Sequence, residues 1–358
     1  MLLSKRISVL SESLTIAISS KAKEMKAAGL DVISFSAGEP DFDTPEVIKN
    51  AVKLALDKGC GKYTAVPGTP EVLEAIATKL KRDNNLNYKP SQIITNVGAK
   101  HSLFNLFSCI INHGDEVIIP SPYWVSYPEI VKYCGGTPVI IETSEDNKFK
   151  LTASQIRSAI TSKTRAIVLN SPSNPCGGVY SKAELEEIGK ALEGSDILVV
   201  SDEIYEKLTY SGEFIAAAAI SDDMFQRTIT INGLSKCGAM PGWRFGYMAS
   251  SIDELNKALR KLQSQSTSNI SSIVQAGAIP ALLGEADADI EYMKSKFIER
   301  RDYAVKAIND IENLSVVCPD GAFYLFINCK NVEPDSMKFC QELLEKGLND
   351  SIEHVDFM

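Results

Sequence analysis

The residues with the most distinctive chemistry follow predicted β-strands in the middle of the chain. Lys236 comes after the strand pattern Thr228 to Ile231, and Asp202 comes after Ile197 to Ser201, with Tyr205 close behind it. In an open parallel sheet the ligand binds beyond the carboxyl ends of the strands, so these side chains are expected to converge. An amine, a carboxylate and a phenol at one place predict a small-molecule site with nucleophilic and proton-transfer chemistry.

Other predicted strand ends carry groups that suit a phosphorylated aromatic ligand. Gly98 precedes a helix that begins with Ala99 and Lys100, and free amides at a helix start favour a phosphate. Trp124 adds a flat ring, and Asn174 adds an amide. Taken singly these signals are weak, because a glycine at such a place is more often a turn and a tryptophan is more often core.

Together the groups match the requirements of pyridoxal 5'-phosphate. The Lys236 amine would form a Schiff base, and Asp202 would keep the ring nitrogen protonated so that the ring accepts electrons. Tyr205 and Asn174 would donate hydrogen bonds to the phenolic oxygen of the cofactor. Donors to the phosphate are predicted to be Gly98, Ala99, Ser235 and Arg244.

The elements that position these residues indicate an α/β fold. Seven short, mostly apolar runs alternate with helical patterns, which predicts a mainly parallel seven-stranded sheet covered by helices. The runs are Gln92 to Asn96, Glu116 to Pro120, Thr137 to Glu142, Arg165 to Asn170, Asp196 to Ser201, Thr228 to Asn232 and Phe245 to Ala249. We expect an N-terminal arm at 1–43, a large cofactor-binding domain at 44–288, and the rest of a smaller α+β domain at 289–358.

Composition narrows the class of protein. The 358 residues carry a net charge of -9, which disfavours nucleic acid, and have no apolar run near the roughly 18 residues of a membrane span. The eight cysteines form no CxxC pair and only three histidines accompany them, so we expect neither a metal site nor a disulfide framework. The absence of a continuous apolar leader favours the cytoplasm.

The order and spacing of these residues resemble the fold type I, class I aminotransferases, most closely the bacterial aspartate aminotransferases and their prephenate-using relatives. The resemblance extends from about residue 4 to about residue 347. The matching strings are Ser36-Ala37-Gly38-Glu39-Pro40-Asp41-Phe42, Lys62-Tyr63-Thr64, Val97-Gly98-Ala99-Lys100, Ser121-Pro122-Tyr123-Trp124, Asn170-Ser171-Pro172-Ser173-Asn174-Pro175, Ser201-Asp202-Glu203-Ile204-Tyr205 and Ser235-Lys236 with Gly242-Trp243-Arg244.

The resemblance implies a role for each matching residue. Lys236 would bind the cofactor and move protons, and Trp124 would stack on the ring. Gly38, Trp124 and Asn174 would contact the substrate. Tyr63 would reach the phosphate of a neighbouring subunit, so that the enzyme is a homodimer with sites at its interface, although local packing of this loop tyrosine stays open. The implied phosphate contacts are Gly98, Ala99, Lys100, Ser235 and Arg244.

Two departures from the family pattern bear on activity. Cys176 stands where the family usually has threonine, a small change that we expect to be structural. The family normally continues past this sequence's last residue, through an apolar strand and an arginine that binds the substrate α-carboxylate. Here no arginine follows Arg301, and the acidic last residues predict no such strand. We therefore expect cofactor binding to persist and transamination to be weakened.

The leading interpretation is a transamination between an amino acid, aspartate first, and 2-oxoglutarate. A carbon-sulfur lyase on the same scaffold remains open, because it would use the same cofactor-binding groups. A cofactor-binding protein with little turnover is the third alternative. Acidic, aromatic and prephenate-type substrates stay open, because no residue can be assigned to a distal substrate carboxylate.

Overall fold

The computed structural model describes residues 3–11, 14–30, 32–34, 38–346 and 354–356. Its α-helices are α1 (Leu14–Ala27), α2 (Glu46–Asp57), α3 (Pro70–Asn84), α4 (Ala99–Ile110), α5 (Ser126–Tyr133), α6 (Ala153–Ala159), α7 (Lys182–Leu192), α8 (Asp222–Arg227), α9 (Asp253–Ser264), α10 (Ser272–Leu282), α11 (Asp287–Asn309) and α12 (Ser336–Lys346). Short 3₁₀ helices cover Ile7–Val9, Pro90–Gln92, Glu145–Asn147, Glu206–Leu208, Ala217–Ala219 and Pro241–Trp243.

The strands are β1 (Val32–Ser34), β2 (Ile93–Val97), β3 (Glu116–Ser121), β4 (Thr137–Glu142), β5 (Thr164–Asn170), β6 (Leu198–Asp202), β7 (Thr228–Gly233), β8 (Phe245–Ala249), β9 (Ser315–Val316), β10 (Ile327–Asn328) and β11 (His354–Asp356). A seven-stranded sheet has the order β2-β8-β7-β6-β5-β3-β4. Only β8 runs antiparallel to its neighbours β2 and β7. The predicted α/β fold with a mainly parallel seven-stranded sheet is confirmed, and the seven predicted strands agree with the observed bounds to within two residues.

The sheet forms because its apolar runs are buried on both faces. Val117, Ile119 and Val168 point into one core cluster, whereas Ile118 and Ile167 point into another. Successive residues of a strand face opposite sides, so a run without polar interruption needs a covering layer on each side. The helices supply these layers and leave the strand ends as the place where polar side chains collect.

The start of α4 differs from the starts of α6 and α7, which also pack against the large sheet. Thr152 and Ser181 cap α6 and α7 by accepting hydrogen bonds from the backbone amides of Gln155 and Glu184. At α4 the cap position is Gly98, which has no side chain to offer. The first amides of a helix have no partner within the helix, so α4 presents unpaired donors at the end of β2.

The last described residues lie beside a short strand from the N-terminal part of the chain. β1 pairs with β11 in parallel, with Val32 opposite His354. Met25, Val32 and Leu344 form a small separate core. The sequence pattern predicted no apolar strand in the acidic last residues, and the short strand β11 forms there because backbone pairing with β1 does not require an apolar side-chain pattern. The division into an arm, a large domain and a small domain stays a prediction.

Across the described ranges, the helices are all too short or too polar to cross a lipid bilayer.

Candidate active site

Lys236 lies just beyond β7 in a largely dehydrated environment. Its Nζ donates a hydrogen bond to the Gly38 carbonyl oxygen at 2.6 Å and lies 5.6 Å from the centre of the Phe323 ring. Burial lowers the pKa of the Lys236 ammonium to about 8, with Glu39 opposing and Arg244 reinforcing this shift. At pH 7 about a tenth of such a lysine is the neutral amine, against well under a thousandth of an ordinary one. The sequence therefore places a usable nucleophile here.

Asp202 ends β6 and is fixed by a tyrosine from α5. The Tyr127 hydroxyl donates to Asp202 Oδ2 at 2.7 Å, and the Ile204 amide donates to Oδ1 at 3.3 Å. Burial raises the pKa of Asp202 to about 6, while these two bonds and the Lys236 charge oppose the rise. Trp124 packs edge-on against Tyr127, with ring centres 5.4 Å apart. The carboxylate is held in one orientation and suits a cationic partner, since a buried charge is costly unless paired.

Tyr205 follows Asp202 and joins two other polar groups. Its hydroxyl oxygen lies 2.6 Å from that of Tyr324, and either phenol is able to donate. Burial holds the pKa of Tyr205 well above 10, whereas the Asn174 side chain pulls it down. The Asn174 backbone amide donates to Asn170 Oδ1 at 2.7 Å, which fixes the loop after β5. Asn174 and Tyr205 therefore come together as the strand-end pattern predicts.

The start of α4 forms the cationic end of the pocket. A Cβ atom on Gly98 would lie 2.5 Å from Arg244 Nη2, and Gly98 has a φ of +78°, so only glycine fits. Arg244 is held by hydrogen bonds to the Pro241 and Val97 carbonyl oxygens. Gly246 allows the close approach of β8, since a Cβ atom there would collide with the Ala99 nitrogen. The guanidinium is thus fixed beside the unpaired helix amides.

Lys100 and Ser235 complete this end. The Lys100 ammonium lies 4.7 Å from the centre of the Trp124 ring. Burial lowers the pKa of Lys100, and the Arg244 charge lowers it further. Ser235 is buried next to Lys236. The charges of Arg244 and Lys100 both lower the pKa of Lys236, so three cations lie near one another in a protein of net charge -9 and form a site for an anion.

Three further residues singled out in the sequence, Gly38, Tyr63 and Cys176, differ in their surroundings. Gly38 lies at the pocket through its bond from Lys236, whereas Ser36 and Ala37 of the same string lie outside the described residues. Tyr63 is 92% exposed, so within this chain it does not pack locally. Cys176 is buried, and burial raises the pKa of its thiol to about 12, which suits the structural role expected for it.

Sequence reasoning missed three aromatic residues of the pocket. Tyr127 lies on α5, and its inward face could be inferred from the apolar Ile130 and Val131, three and four residues later on the same helix. Phe323 and Tyr324 lie between β9 and β10 and reach Tyr205 across 119 residues of sequence. An aromatic pair after Asp320-Gly321 is the signal available, and by itself it predicts only a packed turn.

Comparison with known proteins bears on this arrangement. Residues 30–349 match the model of the family described as aminotransferase class I and II. The chain belongs to the class I and II aminotransferases. Members of this family depend on pyridoxal 5'-phosphate and exchange amino groups between amino acids and keto acids. The resemblance stated from the sequence motifs is confirmed.

This aminotransferase is similar over nearly its whole length to curated relatives. It is 49% identical over 352 residues to the aspartate aminotransferase of Bacillus subtilis (strain 168), which covers 97% of this chain and 89% of that protein. It is 41% identical over 348 residues to the aspartate/prephenate aminotransferase of Thermus thermophilus, with coverage of 97% and 89%. The chain is therefore an aspartate aminotransferase-like enzyme.

Solved structures agree with the fold of this aminotransferase. The aspartate aminotransferase of Rhizobium meliloti superposes with a TM-score of 0.93 at 41% identity, over 99% of this chain and 90% of that one. The Thermus thermophilus aspartate aminotransferase with maleate gives a TM-score of 0.92 at 39% identity, over 99% and 91%. The sheet and its strand ends are thus those of aspartate aminotransferases.

Glu203 is a buried acid directly beside the aminotransferase pocket. The Ser201 hydroxyl donates to Glu203 Oε1 at 2.8 Å, and Oε2 is buried with no hydrogen-bond partner among the described atoms. Burial, together with the nearby Glu206 carboxylate, raises the pKa of Glu203 to about 8. Glu206 itself accepts hydrogen bonds from Lys79 and Asn84 on its two oxygens, whereas Glu203 Oε2 has no such donor among the described atoms.

We expect Glu203→Gln to flatten the dependence of stability on pH. The folded-state pKa lies above the ordinary 4.5, so the bound proton stabilises the fold fully below pH 4.5, and this contribution is lost as pH rises through about 8. The variant lacks that loss and gains on the wild type, by on the order of a few kcal/mol between pH 5 and 9. Urea unfolding at successive pH values measures the difference.

The matched control for this prediction is Glu46→Gln. Glu46 is an exposed acid whose pKa is lowered by Lys49 and Lys53, so its stability difference should stay flat over the same range. A Glu203→Gln difference that is equally flat would show that Glu203 is ionised in the folded enzyme at neutral pH.

Proposed function

We propose that the pocket around Lys236 binds pyridoxal 5'-phosphate and that the enzyme transfers amino groups between aspartate and 2-oxoglutarate. The observation that carries this proposal is the combination of three features in one pocket. They are the dehydrated Lys236, the buried carboxylate of Asp202 and the start of α4, which has no side-chain cap. These are the three contacts that a phosphorylated pyridine aldehyde needs. The similarity to aspartate aminotransferases supports the substrate class.

The residues present fit the chemical groups of the cofactor. The Gly98 backbone, the Ala99 and Lys100 amides, the Ser235 hydroxyl and the Arg244 guanidinium would bind the phosphate, because a dianion suits several donors and a fixed fork. Asp202 would pair with the ring nitrogen, and Trp124 would cover the ring. When bound, pyridoxal 5'-phosphate supplies an aldehyde that reacts with amines and a ring that accepts electrons.

The chain's own groups account for binding and proton transfer. Lys236, with its lowered pKa, would exchange a proton at Nζ with the reacting carbon of the substrate, since a base with a pKa near the working pH accepts and returns protons readily. Asp202 stays oriented by Tyr127 while this happens. Tyr205 and Asn174 would donate to the ligand's phenolic oxygen, and Gly38 would contact the substrate carboxylate.

Aspartate is the proposed amino donor because dicarboxylates recur among the relatives. Curated relatives are aspartate or aspartate/prephenate aminotransferases, and one solved relative carries maleate, a four-carbon dicarboxylate. The three neighbouring cations of the pocket favour substrates of high negative charge, because a cleft lined by one sign of charge raises the local concentration of the opposite ion. Prephenate-type substrates, which also carry two carboxylates, are part of the same panel.

We also propose a homodimer in which Tyr63 completes the partner's phosphate site. A tyrosine that is 92% exposed in a single chain leaves a large apolar ring in water, an arrangement typical of an interface residue. A hydroxyl from the partner could add one more donor at Gly98 and Arg244, since a phosphate accepts several hydrogen bonds.

Lys236→Ala should abolish transamination and the cofactor's absorbance change with amino acid, because the amine is the covalent partner. Asp202→Asn should keep the cofactor but lower kcat by about 10- to 150-fold, the worth of one charged hydrogen bond. A panel of amino acids, followed by absorbance and by keto-acid release, checks both. Lys190→Ala, on the surface, is the control and should behave as wild type.

Release of pyruvate and ammonia without a keto-acid acceptor would replace the transaminase proposal with the lyase.

Mixing Tyr63→Phe and Lys236→Ala chains should restore activity. In a mixed dimer one pocket combines Lys236 of the first chain with Tyr63 of the second, so it is native in composition, while the other pocket lacks both groups. Unfolding and refolding the two variants together should therefore give more activity than the mean of the two refolded separately. Activity equal to that mean would place Tyr63 in the same chain's pocket or outside it.

A further inference from the structure

Tyr324 contacts the pocket from a segment that none of the proposed roles uses. Its hydroxyl oxygen lies 2.6 Å from that of Tyr205, and the two rings meet edge-on at 5.7 Å. Tyr324 also packs against Phe323 at 4.9 Å, and Phe323 meets both Tyr205 and the Lys236 ammonium. The turn between β9 and β10 is thus joined to the proposed catalytic lysine through aromatic contacts.

The same hydroxyl lies against Gly38. A Cβ atom on Gly38 would be 2.5 Å from Tyr324 Oη, closer than real Cβ atoms come to a non-bonded neighbour. Gly38 in turn accepts the hydrogen bond from Lys236 Nζ at 2.6 Å. Tyr324 therefore touches two of the groups that surround the lysine, Tyr205 on one side and Gly38 on the other, and its place depends on the missing side chain at position 38.

The number of protons that each phenol can donate decides which of Tyr205 and Tyr324 is the donor in their hydrogen bond. A phenol has one proton to donate, and its oxygen accepts. If Tyr205 donates its proton to a ligand in the pocket, as the proposed function requires, its bond with Tyr324 survives only when Tyr324 is the donor. A donor that itself accepts a hydrogen bond is polarised and donates more strongly.

We propose that Tyr324 is a positioning residue whose hydroxyl donates to the Tyr205 oxygen, aims the Tyr205 hydroxyl into the pocket and strengthens the bond that it gives to the cofactor's phenolic oxygen. The inference rests on the proposed function, because it assigns Tyr205 a ligand to which it donates. Tyr324 does not touch the reacting atoms in this scheme. It acts through Tyr205 and is held in place by Gly38.

The neighbouring groups allow this bond to be read from a pH titration. Tyr205 is faced by Asp202 at the end of β6, by Tyr127 of α5 and by Lys236 after β7, and Glu39, Arg244 and Lys100 act on that lysine. Burial raises the pKa of Tyr324 to about 12 and those of Tyr127 and Tyr205 well above 10. The three phenols therefore stay protonated from pH 5 to 9, whereas burial gives Asp202 a pKa of about 6 and Glu203 a pKa of about 8. Because both carboxyls are present in every variant, the difference between a variant and the wild type is the quantity that reports the bond from Tyr205.

The main test is the absorbance of the cofactor-loaded Tyr324→Phe enzyme as a function of pH. A weaker bond from Tyr205 leaves more negative charge on the phenolic oxygen, which raises the proton affinity of the nitrogen that joins the cofactor to Lys236. We expect the pKa of the spectral change to rise by about 0.5 unit. Tyr88→Phe, which removes a hydroxyl from another buried tyrosine, is the control and should titrate as wild type.

A second variant separates coupling from general disturbance of the pocket. Gly38→Ala should shift the titration in the same direction, because the new Cβ pushes the Tyr324 phenol away from Tyr205. In the Tyr324→Phe background the closest remaining ring atoms, Cε1 and Cζ, are 3.3 Å from that Cβ, so adding Gly38→Ala should cause little further shift. Equal shifts of Gly38→Ala in both backgrounds would overturn the coupling.

The outcomes also separate this inference from the proposed function. A wild-type enzyme with no absorbance that depends on Lys236 overturns both. A wild-type enzyme that shows this absorbance, together with a Tyr324→Phe titration identical to it, overturns the role of Tyr324 alone. Circular dichroism and cofactor content of each variant identify any protein that has failed to fold, and for such a protein Tyr324→Leu, which also removes the hydroxyl, is titrated as the substitute.

Discussion

The pocket depends on keeping a lysine amine partly dehydrated without leaving its charge unpaired. Lys236 gives a hydrogen bond to a backbone carbonyl and lies over two aromatic rings, and burial lowers its pKa to about 8. Neighbours of both signs act on it, so the shift is moderate instead of extreme. A fully isolated ammonium would destabilise the fold, whereas a fully paired one would hold its proton too tightly to react. The carboxylates of Glu39 and Asp202 raise the pKa of Lys236, and the cations Arg244 and Lys100 lower it.

The other polar groups are held in place by neighbouring residues. Trp124 packs on Tyr127, which fixes Asp202, and Gly98 and Gly246 leave the space that Arg244 and β8 require. Rigid supports of this kind matter because a catalytic group that is displaced by about 1 Å loses much of its effect. Enzyme activity is therefore sensitive to Tyr127 and Gly246, which have no proposed contact with the substrate or the cofactor.

Much of this could be predicted from the sequence, for identifiable reasons. The seven strands are long apolar runs buried on both faces, and the parallel topology brings their carboxyl ends together, so Lys236, Asp202, Tyr205 and Asn174 could be placed at one pocket. Tyr324 could not, because its contact with Tyr205 joins a short turn to a strand end across 119 residues. The three-residue strand β11 was not predicted because its pairing with β1 uses backbone groups and does not require an apolar side-chain pattern. The exposure of Tyr63 could not be predicted either, because the sequence pattern around a loop tyrosine is the same whether the ring packs against the protein or projects into solvent.

The position of β8 has a consequence for how the chain is made. β2 is an edge strand whose one neighbour in the seven-stranded sheet is β8, and β8 lies about 150 residues later in the sequence. During synthesis the ribosome must therefore release Phe245–Ala249 before β2 has a partner and before Gly246 can approach the start of α4. Until then the backbone edge of β2 is unpaired and the anion pocket is incomplete, so the partly synthesised chain exposes a strand with which other chains can pair.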